Sequence, residues 1–245
     1  LTQRARAMQR VASRLLARRA QHHQIEKFVF VVGYGRSGST LVQAILSAIP
    51  GCHVAGENLG AVFTLAQAHA RLVEVSERFG PGPAPADHPW YGAFEIDPDA
   101  IGRRLAETIV HEVLRPPLGT RSAGFKEIRW LDGPHELATS IAFLKRFCAP
   151  ANFVLNVRDP GAVVRSGWWR DRPRDAALAQ ITAWNATLEA TAAADPDQCH
   201  LLRFDEFTRD PEQLAPLFTF LGEPFDRAVV AQVLCRRLEH AGIPS

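Results

Sequence analysis

The chain is poor in cysteine and has no long apolar run, and each absence narrows what it does. Its four cysteines (Cys52, Cys148, Cys199 and Cys235) are scattered, with no C-x-x-C pair. That spacing argues against a disulfide framework or a zinc site. It fits unreactive thiols in a reducing, cytoplasmic setting. No stretch approaches the roughly 18 apolar residues of a membrane span, and no secretory leader is visible. The first residue is Leu1 rather than Met, so the natural N-terminus is expected to be missing or processed. A nucleic-acid surface is not indicated either. Net charge is +2, and six of the 28 Lys and Arg fall in residues 1–20, which hold no acid. The rest of the chain is slightly negative, without a basic face. There is no internal repeat. The length of 245 residues and 47% apolar content suit one domain with a substantial core.

What is present is organised around residues 28–46. Phe28 to Val32 are five apolar, β-prone residues, as in a strand buried on both faces. A glycine-rich turn follows, then Leu41, Val42, Ile45 and Leu46 at helical spacing. A strand, tight loop and helix in that order form an anion trap. Glycines let several N–H groups converge, and the helix start adds free amides and a positive dipole end. Arg36, Ser37, Ser39 and Thr40 add side-chain donors, between and beside Gly35 and Gly38. Gly33 to Thr40 reads G-x-x-x-x-G-S-T. A nucleoside-triphosphate loop has lysine where Ser39 stands. Here the cation is Arg36, inside the loop, which argues against an ATPase or kinase.

Residues 1–24, chiefly 2–22, read as a basic amphipathic helix with Met8, Val11 and Leu15 on one face. It is expected to pack on the body, with membrane-surface or subunit contact as alternatives. Residues 25–245 then form the single α/β domain. Cys52 to Ala55 make a short strand, and Glu57 sits in the loop after it. Loops at the carboxyl edge of a parallel sheet line the ligand crevice, so Glu57 is a candidate base for a hydroxyl nucleophile. A helix cap or an ordinary ion pair is the alternative. Residues 60–79 are helical, and 80–89 form a Pro/Gly-rich loop. Asp97-Pro98 starts a helix running to about Arg115. Ser122 to Arg129 is a strand and its exit. It places Lys126 near the strand's end, where a cation would offset charge on a leaving group; a solvated lysine is the alternative, and the one its own neighbours favour. A helix over about 134–147 follows.

A second strand, Asn152 to Val157, delivers Arg158 at its tip, and Pro160 opens a helix. Ser166 lies eight residues after Arg158. Two turns into that helix, it would face the same group. This pair, about 120 residues after the first loop, resembles the pattern of the sulfotransferase family. There a loop ending S-G-[ST]-T holds the 5′-phosphosulfate of 3′-phosphoadenosine 5′-phosphosulfate (PAPS), and a strand-end Arg with a Ser eight residues later holds the 3′-phosphate. The tail is similar to the family's too. Leu201-Leu-Arg-Phe-Asp-Glu-Phe207, Asp210-Pro-Glu212 and Phe220-Leu-Gly222 look like its Y-E-D-L-type strand, D-P-E helix and F-L-G turn, with Phe204 at the usual tyrosine.

The resemblance covers about residues 28–235 and loosely matches the middle third. It implies a P-loop-like three-layer α/β domain with a mainly parallel central sheet and helices on both faces. It implies a sulfotransferase that binds PAPS through Gly35, Arg36, Ser37, Gly38, Ser39, Thr40, Arg158, Ser166 and Phe204, releases 3′,5′-adenosine bisphosphate (PAP), and requires no metal. Val54-Ala-Gly-Glu57-Asn resembles the segment that carries the base in tyrosylprotein sulfotransferases. Lys126 resembles the lysine that meets the donor's bridging oxygen, with Arg36 beside it. A basic Arg-Lys-Gly segment near the C-terminus is missing, which favours the carbohydrate, tyrosyl and bacterial branches or a shortened chain. The acceptor stays open among carbohydrate, lipid, natural product and tyrosine, with a hydroxyl favoured over an amine. Trp168 and Trp169 are candidates to stack on it, core packing being the alternative. Two rival readings remain: an atypical P-loop nucleotide kinase or NTPase, and a non-catalytic nucleotide-binding or assembly protein.

Overall fold

A computed structural model describes residues 25–131 and 134–240. The helix expected over residues 2–22 lies outside the described residues. Five strands form one sheet in the order β2-β3-β1-β4-β5, and every pairing is parallel. They are β1 (Lys27–Val32), β2 (Cys52–Ala55), β3 (Ser122–Glu127), β4 (Ala151–Val157) and β5 (Cys199–Arg203). The first of the described strands in sequence is therefore the central one. Its apolar run has a simple cause, because successive side chains of a strand point to opposite faces. Phe28, Phe30 and Val32 enter one core, and Val29 and Val31 enter the other.

Helices cover both faces. The first core takes Val62 and Phe63 from α2 (Ala61–Phe79), Ala106 from α3 (Pro98–Thr108), Leu144 from α4 (Pro134–Phe147), and Ile181 and Leu188 from α6 (Arg174–Ala194). The second takes Val42, Ile45 and Leu46 from α1 (Ser39–Ser47), Leu217 and Phe218 from α8 (Ala215–Leu221), and Val230 from α9 (Arg227–His240). The architecture is thus the α/β, three-layer arrangement expected. Among the described residues no helix is long and apolar enough to cross a membrane. Burial pushes the thiol of Cys52 up to about 11, that of Cys148 to about 12 and that of Cys199 to about 11.

Local signals explain most element ends. Asp97 caps α3 by accepting from the Ala100 amide at 3.0 Å. The helix expected to reach Arg115 is α-helical to Thr108, then widens into a π turn over Ile109–Leu114. It stops at Arg115 (φ 48°) before Pro116. One expectation is corrected. Ser166 does not lie two turns into the helix after β4, because that helix, α5, spans only Pro160–Val164. Gly167, at φ 58°, turns the chain into a 3-10 segment, Gly167–Asp171. The turn buries Trp169 to 3% exposure and lets its indole N–H donate to the Gly35 carbonyl at 2.9 Å. Burying a tryptophan with its N–H satisfied replaces the remaining helical turn. After β5 the chain likewise coils at once, as the short helix α7 (Phe204–Phe207).

Gly124 in β3 lies so close to β1 that a Cβ there would stand 1.7 Å from the Val29 carbonyl oxygen. Gly124→Ala is expected to cost at least about 1–3 kcal/mol by overpacking. Thermal unfolding should then shift down by at least about 2 °C. An unchanged melting curve would contradict this strand contact.

Candidate active site

The sheet order sets the site. The chain leaves β1 to one side for β2 and β3 and to the other for β4 and β5, and ligands of such sheets bind at the carboxyl ends around that switch. Every strand sends a charged or aromatic residue to this edge. Arg36 follows β1, Glu57 follows β2, Lys126 is near the end of β3, Arg158 follows β4 and Phe204 follows β5. A cavity of about 810 Å³ opens there. Gly35, Arg36, Gly38, Ser39 and Thr40 line it on one side, with Glu57, Arg158, Ser166 and Phe204 around them. Ser37 and Lys126 stand behind this wall, 0% and 5% exposed. Ser37 turns inward, and its Oγ has no hydrogen-bond partner among the described residues.

The loop after β1 is built on close approaches. Arg36 is held at φ 71°, a left-handed conformation that non-glycine residues rarely take. Its Nε donates to Ser166 Oγ at 2.9 Å, and its carbonyl accepts from Arg158 Nη1 at 3.1 Å. Gly35 lies under the Trp168 indole, where a Cβ would meet the ring at 2.3 Å. Gly38, at φ 90°, lies under Phe204, where a Cβ would meet the ring at 2.1 Å. No side chain caps α1 and its first turn holds no acid. The first bond of the helix start runs from the Leu41 amide to the Gly38 carbonyl at 2.9 Å, so the amides of Ser39 and Thr40 before it are the ones a helix start offers an anion.

Arg158 is braced from below by residues that sequence reasoning did not single out. The buried Tyr34 hydroxyl accepts from the Arg158 amide at 3.2 Å and donates to Asn185 Oδ1 at 2.7 Å. Asn185 Nδ2 in turn donates to the Arg158 carbonyl at 2.9 Å. Burial pushes the Tyr34 phenol up to about 12. Above, the guanidinium carbon sits 4.3 Å from the centre of the Phe204 ring. Arg158 Nε is a buried donor with no partner among the described residues. Such a group is costly unless something satisfies it. Trp168 and Trp169 part ways: Trp169 is core, while Trp168 lines the cavity at 49% exposure.

On the opposite side, Glu57 Oε1 accepts from Lys126 Nζ at 2.6 Å and Oε2 from Arg129 Nη1 at 3.0 Å. Burial alone would raise its pKa. The bonds and charges of Lys126 and Arg129 outweigh that and hold it below the usual carboxylate range. Glu57 is therefore ionised near neutral pH but weakened as a base. Arg129 and its neighbour Glu127 gave no signal in the sequence beyond the strand exit they sit on.

A parallel sheet with a glycine-rich loop at its switch point, an uncapped helix start and two arginines on one cavity define a P-loop-like α/β arrangement with a cationic pocket. A model of the sulfotransferase family matches residues 29–227, and the chain belongs to that family. No curated protein matches it in sequence. Among solved structures, the sulfotransferase STF9 from Mycobacterium avium is similar at 15% identity and TM-score 0.46, over 90% of this chain and 69% of that one. Mouse sulfotransferase SULT7A1 complexed with PAP is similar at 14% identity and TM-score 0.45, over 85% of this chain and 63% of that one, less than two thirds of its length. Retinol dehydratase, in complex with retinol and PAP, follows at 18% identity and TM-score 0.38, over 92% of this chain and 69% of that one.

Tyr34→Phe would strand the Arg158 amide and Asn185 Oδ1. Stability should fall by about 1–3 kcal/mol. Because folding raises the Tyr34 pKa, its contribution is complete below the unfolded value of about 10. It is lost as pH rises through about 12. Wild type should therefore lose more stability than Tyr34→Phe across that alkaline window. Urea unfolding at neutral and alkaline pH measures both effects, and parallel curves at equal stability would contradict the brace.

Proposed function

We propose that the chain moves a sulfuryl group from PAPS to an acceptor hydroxyl. The observation that carries this reading is the shared cavity: a glycine-rich loop without the nucleotide-kinase lysine, a second arginine whose Nε has no partner among the described residues, and an ion-paired Glu57 open onto one space. When bound, PAPS supplies an activated sulfuryl group and a phosphate leaving group. The residues present fit it. The start of α1, Arg36, Ser39 and Thr40 would hold the 5′-phosphosulfate, with Ser37 shaping the loop from beneath. Arg158 would hold the 3′-phosphate, its Nε gaining the acceptor it lacks, and Phe204 would back that guanidinium. Ser166 would act through Arg36, whose guanidinium it already orients.

Glu57 takes the proton from the acceptor hydroxyl in this reading. Its ion pairs keep it ionised at neutral pH, and its basicity recovers if Lys126 turns to the leaving oxygen. Lys126 and Arg36 offset the charge that develops there. Positioning and charge stabilisation would supply most of the rate, as in phosphoryl transfer. Trp168 offers a flat, half-exposed wall beside the loop, which suits an acceptor whose hydroxyl is carried on a ring, either a sugar or a phenol. In this reading the acceptor is a small molecule or a glycan and the enzyme works in the cytoplasm.

Two measurements test it. PAP should raise the melting temperature, by an amount matching roughly 2.7 kcal/mol at 100 times its dissociation constant, while AMP does little. A shift with ATP-magnesium alone would move the reading to a kinase. With labelled PAPS and a panel of sugars, phenols and amines, Glu57→Gln should cut turnover by roughly 10²–10⁴-fold and leave PAP affinity near normal. Arg158→Ala should weaken PAP binding by roughly tenfold to a hundredfold, the worth of a charged hydrogen bond. Wild-type turnover in Glu57→Gln would remove it as the base.

A further inference from the structure

Glu57 does not stand alone on its loop. Behind it, the fully buried Glu127 gathers four donors. Its Oε2 accepts from the amides of Asn58 and Gly60 at 3.1 and 3.0 Å, and its Oε1 from the Ile128 amide at 2.8 Å and Arg129 Nη1 at 2.7 Å. Glu127 therefore pins the backbone that follows Glu57 and fixes the guanidinium of Arg129. The same Nη1 reaches Glu57 Oε2. The Arg129 backbone is anchored as well, by an antiparallel bridge to Tyr34 at the start of the anion loop.

The two oxygens of Glu57 thus have different cations. Lys126 meets Oε1 and, in the reading above, is needed at the leaving oxygen. Arg129 meets Oε2 and is committed to a buried carboxylate whose other partners are backbone amides. A bond to a fully buried, multiply bonded anion is hard to give up. A shared guanidinium also sets direction as well as charge, because its donors lie in one rigid plane.

We infer that Arg129 is a positioning residue: held by Glu127, it keeps the Glu57 carboxylate aimed into the cavity and ionised while Lys126 leaves it for the donor. This rests on reading Glu57 as the base. The charged groups around Glu57 are Lys126 and Arg129 from β3 and its exit. Arg36 and Arg158, from the loops after β1 and β4, line the same cavity. The start of α2, at Ala61, lies four residues beyond Glu57 and adds the positive end of a helix. With Lys126 withdrawn, Arg129 is the cation already bonded to Glu57.

The test needs no acceptor at its core. The carboxyl carbon of Glu57 is titrated by carbon-13 NMR in wild type, Arg129→Gln and Arg129→Lys, its signal assigned by its loss in Glu57→Gln. Removing an opposite charge at hydrogen-bond distance raises a carboxylate pKa. Arg129→Gln should therefore move the midpoint up by on the order of one pH unit, and Arg129→Lys should recover most of that shift. PAP affinity, measured on the same samples, should stay within about twofold of wild type, since the Arg129 side chain bonds Glu57 and Glu127 and its link to the anion loop is a backbone bridge that the substitution leaves in place. Turnover on the acceptor found with the panel should fall in Arg129→Gln and return in part in Arg129→Lys. An unmoved midpoint in Arg129→Gln, or a loss of PAP affinity equal to the loss of turnover, overturns the inference. Collapsed turnover in Glu57→Gln with an unmoved Arg129→Gln midpoint overturns it alone. Wild-type turnover in Glu57→Gln overturns the base reading and this inference together.

Discussion

The hydrogen bond from Arg158 Nη1 to the Arg36 carbonyl is the tie on which the site depends. It joins the loops after two neighbouring strands, β1 and β4, at the point where the sheet's connections part. It also shares the cost of a left-handed Arg36, since strained backbone persists only where its surroundings over-determine it. The Arg36 side chain is fixed by Ser166, its carbonyl by Arg158, and the preceding carbonyl by Trp169. Three residues of one stretch, 158–169, distant in sequence from the loop, thus hold one turn open as a concave set of donors. The Tyr34–Asn185 pair extends the same frame downward, into the packed layer of α6.

The site divides into two halves of different character. Around the loop, Arg36, Ser39, Thr40 and Arg158 present donors to the cavity, and the buried Arg158 Nε has no acceptor among the described residues. Around Glu57 the charges are already balanced: Lys126 and Arg129 face Glu57 and Glu127. In the proposed reaction the first half gains a partner and the second exchanges one: Lys126 would serve the two halves in turn, with the fixed guanidinium of Arg129 beside it.

Much of the fold and part of the site are legible in the sequence, and the division follows physical range. Phe28 to Leu46 can be read because a both-sides-buried strand, a glycine turn and an amphipathic helix are each written within a few residues. Asp97-Pro98, Asp159-Pro160 and the Gly222 stop are local signals of the same kind. Arg36, Arg158 and Glu57 are legible because strand ends in a parallel sheet share one edge. Ser166 comes to the cavity by a different path than its spacing implies. The burial of Trp169 against Gly35, a contact across more than a hundred residues, ends the helix early. Tyr34, Asn185, Glu127 and Arg129 are legible only in three dimensions. Each acts through a partner on another element, and nothing in its own neighbours announces that partner.

The strand order carries a consequence for how the chain is made. The most apolar strand, β1, precedes the other described strands in sequence, yet both of its neighbours come late. Lys27 pairs in register with Ser122, and Phe28 with Ala151. On a ribosome adding about 5–20 residues per second, β1 waits roughly 5–20 s for β3 and longer for β4. During that wait its unpaired edges are open to other chains. The helix α1, which covers one of its faces, is complete far sooner, within twenty residues. The segment that builds the loop after β1 is therefore also an early cover for that strand, guarding a sheet that does not yet exist.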